Sequence, residues 1–193
     1  MEIGVAAERA IATVVGGPAN IEGGETGPAV EVTLEPGEYV VVCWLLSAGS
    51  TPHAYLGMFE DLSVVGEADD APSPGSDGTF ELSEYQIQVP KDFDGTGRFD
   101  VVNRGTEWHE LVFLEIDEAQ NPEEALAHLT GVKESFPPSF MSRGGTGALE
   151  VSGGSATVDL DLDPGRYLIV CAVPTAAEIN HANLGMWTSI IVP

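Results

Sequence analysis

The stretch that decides the fold is PGRYLIVCAVPTAAEINHANLGM, residues 164–186. A Pro-Gly turn leads into the apolar run Tyr167–Val170, which is the pattern of a buried β-strand. Cys171 stands at the end of this strand, and the loop behind it carries His181 and Met186. Residues 167, 169 and 171 share one face of an extended chain, so the thiol is expected to point between the sheets of a sandwich.

The side chains on this loop have the chemistry of copper ligands. Thiolate, imidazole and thioether are soft donors, and a blue-copper site uses two His and one Cys in a plane with a long axial Met. Cys171, His181 and Met186 supply three of these groups, and His109, which opens the apolar run HELVFL, is the candidate for the second histidine. The predicted metal ligands are therefore His109, Cys171, His181 and Met186.

The strand and its loop resemble the ligand loop of cupredoxins, most of all the type 1 copper loop of copper nitrite reductases, in which Gly-Met also follows the histidine. Residues 99–114, in which an Asn-Arg-Gly turn precedes His109, resemble the other ligand strand of that family. The resemblance covers roughly residues 78–193. It implies an all-β, Greek-key β-sandwich of the cupredoxin type, one type 1 copper ion and a function in electron transfer.

The same pattern occurs a second time. Residues 36–58 align with residues 164–186 without a gap, and 11 of the 23 positions are identical. The constant offset of 128 makes Cys43, His53 and Met58 the counterparts of the three donors on the later loop. We interpret this as a duplication. The counterpart of His109 would precede Met1, so the first copy is predicted to hold at most an incomplete second metal site.

Three segments are predicted from these patterns. Residues 1–65 form a partial cupredoxin-like repeat with the later strands only, residues 66–78 form a polar linker, and residues 79–193 form a complete domain. Each copy is expected to contain a short helix, one over residues 3–15 and one after Asn121, which can cap a helix that has Pro122 at its first position. The remaining short, alternating strands favour an antiparallel Greek-key sandwich.

Other interpretations of the cysteines stay open. Cys171 could be a small buried hydrophobe, or could form a disulfide with Cys43. The chain would then be a metal-free binding or scaffold module, while copper binding without fast electron exchange would make it a Cu(I) storage or delivery protein. Catalysis is not expected, because a saturated site leaves no position for substrate. The four histidines include none directly before either cysteine, where oxidases and nitrite reductases often have one.

The charge balance limits the partners. With 31 acidic and 7 basic residues the net charge is −24, which repels nucleic acid and anionic membranes and favours a redox protein with a basic docking face. Such a surface suits either a halophilic source or an ordinary acidic secreted protein. No apolar run is long enough to span a bilayer. The start lacks the features of a signal peptide, so the chain is either cytoplasmic or a processed or truncated piece. The cupredoxin resemblance implies an extracytoplasmic piece, which could share strands in a homo-oligomer.

Overall fold

The computed structural model describes residues 13–47, 50–66, 74–130 and 141–193. The chain forms two compact units, one of Met1–Val32 with Gly75–Pro193 and one of Thr33–Pro74. These divisions differ from the expected boundaries after residues 65 and 78, which stay a prediction. Of the helix expected over residues 3–15, residues 3–12 lie outside the described residues, and residues 13–15 are not helical. Among the described residues no helix is long and apolar enough to cross a membrane.

The described chain is built mainly of strands. They are β1 (Ala29–Glu31), β2 (Gly37–Val42), β3 (Phe59–Val64), β4 (Gly78–Ser83), β5 (Gln86–Gln88), β6 (Thr96–Asn103), β7 (His109–Ile116), β8 (Met141–Leu149), β9 (Ser155–Asp161), β10 (Gly165–Val170) and β11 (Trp187–Val192). One α-helix, α1 (Pro122–Leu129), and two 3₁₀ turns, His53–Leu56 and His181–Leu184, complete the regular elements of these residues.

Two sheets form the larger unit. One has the strand order β1-β9-β6-β4-β5 and the other β11-β10-β7-β8. Almost all neighbours are antiparallel, but β4 and β6 run parallel, because the hairpin of β4 and β5 reverses the chain before β6 returns on the far side of β4. The first sheet is therefore mixed, where the sequence favoured antiparallel pairing alone. The prediction of an all-β sandwich with a short helix is confirmed.

The core lies between the two sheets. Alternate residues of each strand face inward, as the two-residue period of a strand requires. The fully or almost fully buried inward pairs are Phe80 and Leu82, Phe99 and Val101, Leu111 and Phe113, and Tyr167 and Ile169. The rings of Phe80, Phe93, Phe99 and Phe113 pack together with centroids 5.0 to 6.0 Å apart. This packing supports the strands that carry the candidate site.

Helix α1 covers the outer face of the second sheet. Asn121 caps it as predicted, since its Oδ1 accepts hydrogen bonds from the backbone N–H groups of Glu123 and Glu124 at 2.9 and 3.1 Å. Ala125 is buried and belongs to the same apolar cluster as residues of β7 and β10. These two strands are thus buried on both faces, which explains why each is an almost continuous apolar run.

Residues that the 128-residue offset relates pair with each other in the larger unit. Val30 of β1 is paired with Val158 of β9, and Pro18 forms a bridge with Thr146 of β8. In both pairs the second number exceeds the first by 128. Residues 15–21 and β1 are therefore each paired, in antiparallel fashion, with the segments that lie 128 positions later in the chain.

The smaller unit is the hairpin of β2 and β3 with the turn at His53–Leu56. Its apolar side chains are far more exposed than their counterparts in the sandwich. The exposed fraction of Val41 is 60%, whereas that of Ile169, at the equivalent position of β10, is 0%. The apolar run of β10 is therefore buried as predicted, whereas the similar run of β2 is largely exposed.

Candidate metal centre

Three of the four predicted ligands converge at one end of the sandwich. His109 opens β7, Cys171 directly follows β10, and His181 begins a 3₁₀ turn on the returning loop. Pairing of Val170 with Val112 brings the end of β10 beside the beginning of β7. Since both strands are buried on both faces, two of the three donors are held by a rigid framework.

The donor atoms lie close enough to share one ion. The two histidines approach through Nδ1, with 3.1 Å between Nδ1 of His109 and Nδ1 of His181. The Sγ atom of Cys171 lies 3.5 Å from Nδ1 of His181 and 3.9 Å from Nδ1 of His109. All three donors lie within 4.8 Å of one another, and none of the three side chains is exposed.

The ligand loop is closed by its own backbone. The N–H of Ala182 donates to the carbonyl of Cys171 at 2.9 Å, and the N–H of Cys171 donates to the carbonyl of Met186 at 3.1 Å. Gly185, the residue before Met186, has a φ of 104°, a left-handed conformation that glycine adopts without strain. This turn returns the chain to Cys171, and Met186 is fully buried in the same core cluster as the thiol.

A buried amide holds the turn before His109. Asn103 Nδ2 donates to the carbonyls of Glu107 and Leu149 at 2.8 and 3.1 Å, and its Oδ1 accepts from the N–H of Gly105 at 2.8 Å. A β-carbon on Gly105 would lie 2.7 Å from Nε2 of His109. The Asn-Arg-Gly turn that precedes the histidine in the sequence therefore has a structural role, and it presses against the imidazole.

Two carboxylates that the sequence analysis did not single out lie on the far side of the imidazoles. Oε1 of Glu84 is 3.6 Å from Nε2 of His109, and Oε2 of Glu107 is 3.2 Å from Nε2 of His181. Glu84 also accepts hydrogen bonds from the backbone N–H groups of Thr106 and Glu107. Only the position of Glu107, two residues before a candidate ligand, could have drawn attention to it.

The surroundings keep His109 and Cys171 uncharged in the copper-free protein. Burial, followed by the nearby imidazole of His181, lowers the pKa of His109 to about 4. Burial and then the charge of Glu110 raise the pKa of the Cys171 thiol. Burial alone would raise the pKa of Glu84, but hydrogen bonds from backbone N–H groups outweigh it and lower that pKa to about 2. The centre thus combines neutral donors with a charged carboxylate behind them.

This donor set fits copper. Imidazole nitrogens bind metal ions through their lone pairs, and the thiol can bind as thiolate once its proton is released to solvent or base. The N–H of Glu110 points at Cys171 Sγ over 3.5 Å, a contact that favours negative charge on sulfur. His109, Cys171 and His181 would hold the ion, and the burial of all three would keep water away from it.

The first copy repeats half of this arrangement. Sγ of Cys43 lies 3.6 Å from Nδ1 of His53, and the N–H of Cys43 donates to the carbonyl of Met58 at 3.1 Å, as in the second copy. The side chain of Met58 has an exposed fraction of 58%, whereas that of Met186 has 0%. Within the described parts of the chain, no further histidine, cysteine or carboxylate joins Cys43 and His53 to make a group of three donors.

No family model and no curated protein matches the chain. Solved structures that are similar to it include the sodium-dithionite-reduced auracyanin of the photosynthetic bacterium Roseiflexus castenholzii, with 17% identity, a TM-score of 0.37, and coverage of 60% of this chain and 95% of that one. Another is an auracyanin B structure, with 18% identity, a TM-score of 0.35, and coverage of 63% and 93%.

Proposed function

We propose that this protein is a cupredoxin-like electron-transfer protein that binds one copper ion through His109, Cys171 and His181. The observation that carries the proposal is the convergence of two Nδ1 atoms and one thiol sulfur within 4.8 Å at a buried position. Strands far apart in the sequence build this cluster, and its donors are the trigonal set of a blue-copper site. Bound there, copper would supply a one-electron couple.

Met186 is proposed as the weak axial ligand. Its thioether is buried in the core cluster that contains Cys171, and its backbone is tied to both other donors of the loop. The N–H of Met186 donates to the carbonyl of His181 at 3.0 Å. An axial thioether is long and weak in such sites, so substitution by Leu should leave copper bound and change mainly its spectrum and potential.

Electron transfer is favoured over catalysis by the enclosure of the donors. A site with four protein ligands leaves no position for a substrate, and side chains on paired strands move little when the charge on the ion changes. The acidic surface would steer a basic redox partner, and the association rate should fall as the salt concentration rises. We place this exchange outside the cytoplasm, where the cupredoxin resemblance would put it.

A titration with Cu(II) tests the proposal. The wild-type protein should take up one equivalent and develop intense absorption at about 600 nm from charge transfer between thiolate and copper. Cys171→Ser should abolish this band, while the matched variant Cys43→Ser should keep it. A colourless wild-type protein that takes up no copper would overturn the proposal and favour a metal-free binding module.

For the first copy we propose a second soft-metal site at Cys43, His53 and Met58, within a tandem of one partial and one complete repeat. The Cys43–His53 distance of 3.6 Å supports it, since thiolate with one imidazole suits Cu(I), which accepts few ligands. A competition titration with Cu(I) and a chromophoric chelator should give two equivalents in the wild type and one in Cys43→Ser. Equal values for these two proteins would exclude the second site.

A further inference from the structure

The imidazole of His181 lies between the donor cluster and a carboxylate. Its Nδ1 faces Cys171 Sγ at 3.5 Å, and its Nε2 lies 3.2 Å from Oε2 of Glu107. The tautomer of a ligating histidine is set by what its other nitrogen contacts, and a carboxylate there both fixes the ring and makes the metal-bound nitrogen more basic. We propose that Glu107 is a positioning residue that holds His181 in the Nε2–H tautomer and lowers the reduction potential of the site.

Glu107 is itself held in place from several sides. The hydroxyl of Tyr85 donates to Oε2 of Glu107 at 3.1 Å, and the ring of Tyr85 packs edge-on against the imidazole of His181 with centroids 5.1 Å apart. The N–H of Glu107 donates to Glu84 at 2.9 Å, and its carbonyl accepts from Asn103 at 2.8 Å. A carboxylate anchored in this way can orient a histidine, which a freely rotating side chain cannot.

Glu84 places a second carboxylate beside the other imidazole, at a distance similar to that between Glu107 and His181. Its Oε1 lies 3.6 Å from Nε2 of His109, which is beyond normal hydrogen-bonding distance but close enough for the charge of the carboxylate to act on an ion bound on the other side of the ring. The carboxylates of Glu84 and Glu107 thus face the two imidazoles on the side away from the thiol. Negative charge at this position stabilises Cu(II) more than Cu(I), so both residues should lower the potential.

The proposed tautomer of His181 also has a consequence for the protons of the copper-free protein. With the proton of His181 held at Nε2, its Nδ1 carries a lone pair. That lone pair can accept a hydrogen bond from Nδ1 of His109, 3.1 Å away, when the proton of His109 is on that atom. This arrangement is a property of the chain alone, and it can be measured without copper.

The expected effect on the reduction potential rests on the proposed copper site. The tautomer of His181 can be measured in the copper-free protein and so tests the role of Glu107 independently. Glu107→Gln keeps the size of the side chain and removes its charge. We expect the affinity for Cu(II), relative to Cu(I), to fall about tenfold, which is a rise of about 59 mV in a one-electron potential. Tyr85→Phe should raise the potential by less, and the exposed-loop control Glu178→Gln should leave it unchanged.

Nitrogen-15 NMR of the imidazoles in the copper-free protein gives the second readout. In the wild type the proton of His181 should reside on Nε2, and in Glu107→Gln the population of the other tautomer should increase. A wild-type protein with that proton on Nδ1, or equal potentials for Glu107→Gln and Glu178→Gln, would overturn the inference. Absence of copper uptake would instead contradict the proposed function, and the tautomer measurement would still decide the role of Glu107.

Discussion

The Nδ1 atoms of His109 and His181 lie 3.1 Å apart although 72 positions separate the two residues in the chain. Both rings are fully buried, so a proton added to either places a positive charge against the other without water to screen it. This relationship makes the copper-free centre sensitive to acid. A copper ion bound by both Nδ1 atoms would prevent this protonation and, because it would bind the folded chain, should stabilise the fold.

The first prediction concerns pH. Because the pKa of His109 falls from 6.5 to about 4 on folding, the unfolded chain binds the proton more tightly, and stability is lost as the pH falls from about 6.5 to about 4. Between pH 7 and pH 5 we expect a loss of about 2 kcal/mol from this group. Urea denaturation of the copper-free protein at both pH values measures it. His109→Gln should lose less over the same interval, and an equal loss in both proteins would contradict this origin.

The second prediction concerns the glycine before His109. In Gly105→Ala the new methyl group would lie 2.5 Å from Oε1 of Glu84 and 2.7 Å from Nε2 of His109, while Glu84 is tied to the backbone of the same turn. We expect a loss of about 1–3 kcal/mol in the free energy of unfolding, together with weaker copper binding.

Gly75→Ala is the matched control, since no atom lies within 4 Å of the added methyl group. The stability of this variant should stay within about 1 kcal/mol of the wild type. If the two alanine variants were equally stable, the turn would not press on the site as described.

The third prediction concerns the buried amide of Asn103. Replacement by Ala removes the partner of two carbonyls and one N–H group in the turn and at the end of β8. Unsatisfied buried groups are expensive, so the free energy of unfolding should fall by about 3 kcal/mol. Chemical denaturation measures the change, and Asn183→Ala on the exposed side of the ligand loop should alter stability by less than about 0.5 kcal/mol. A small effect at Asn103 would mean that water replaces the amide.

The fourth prediction separates the two cysteines. Cys171 is fully buried and the pKa of its thiol is raised, whereas Cys43 is partly exposed. Since the thiolate is the reactive form, iodoacetamide should modify Cys43 at least about tenfold faster in the copper-free protein. Peptide mass spectrometry after short exposures measures both rates. Comparable rates would show that the ligand loop opens readily.

The site residues that were predicted from the sequence are those that stand in a recognisable local sequence pattern. Cys171 follows a strand, His181 and Met186 follow within one loop, and His109 opens a strand after a tight turn, so each position has a short-range signal. The structure brings His109, Cys171 and His181 together. The ligand role of Met186 stays a prediction.

Glu84 and Glu107 could not be predicted in the same way. They are two of 31 acidic residues, and their importance comes from contacts across the end of the sandwich. The exposure of β2 could not be predicted from its own sequence either. Its apolar run resembles that of β10, and burial depends on neighbouring strands that a single strand does not encode. The parallel pairing of β4 with β6 also arises because the hairpin of β4 and β5 reverses the chain before β6 begins, which the sequence of neither paired strand encodes.

The pairing of Val30 with Val158 restricts how such a chain can evolve. A position that meets its own counterpart across a ladder cannot carry a charge in both copies, because like charges directly opposite each other repel. The central pair here is neutral, and its neighbours join Ala29 to Asp159 and Glu31 to Thr157, so that each acidic residue faces an uncharged one. If the two segments arose by the duplication that the sequence predicts, self-complementarity of this kind would have let the copies associate before they diverged.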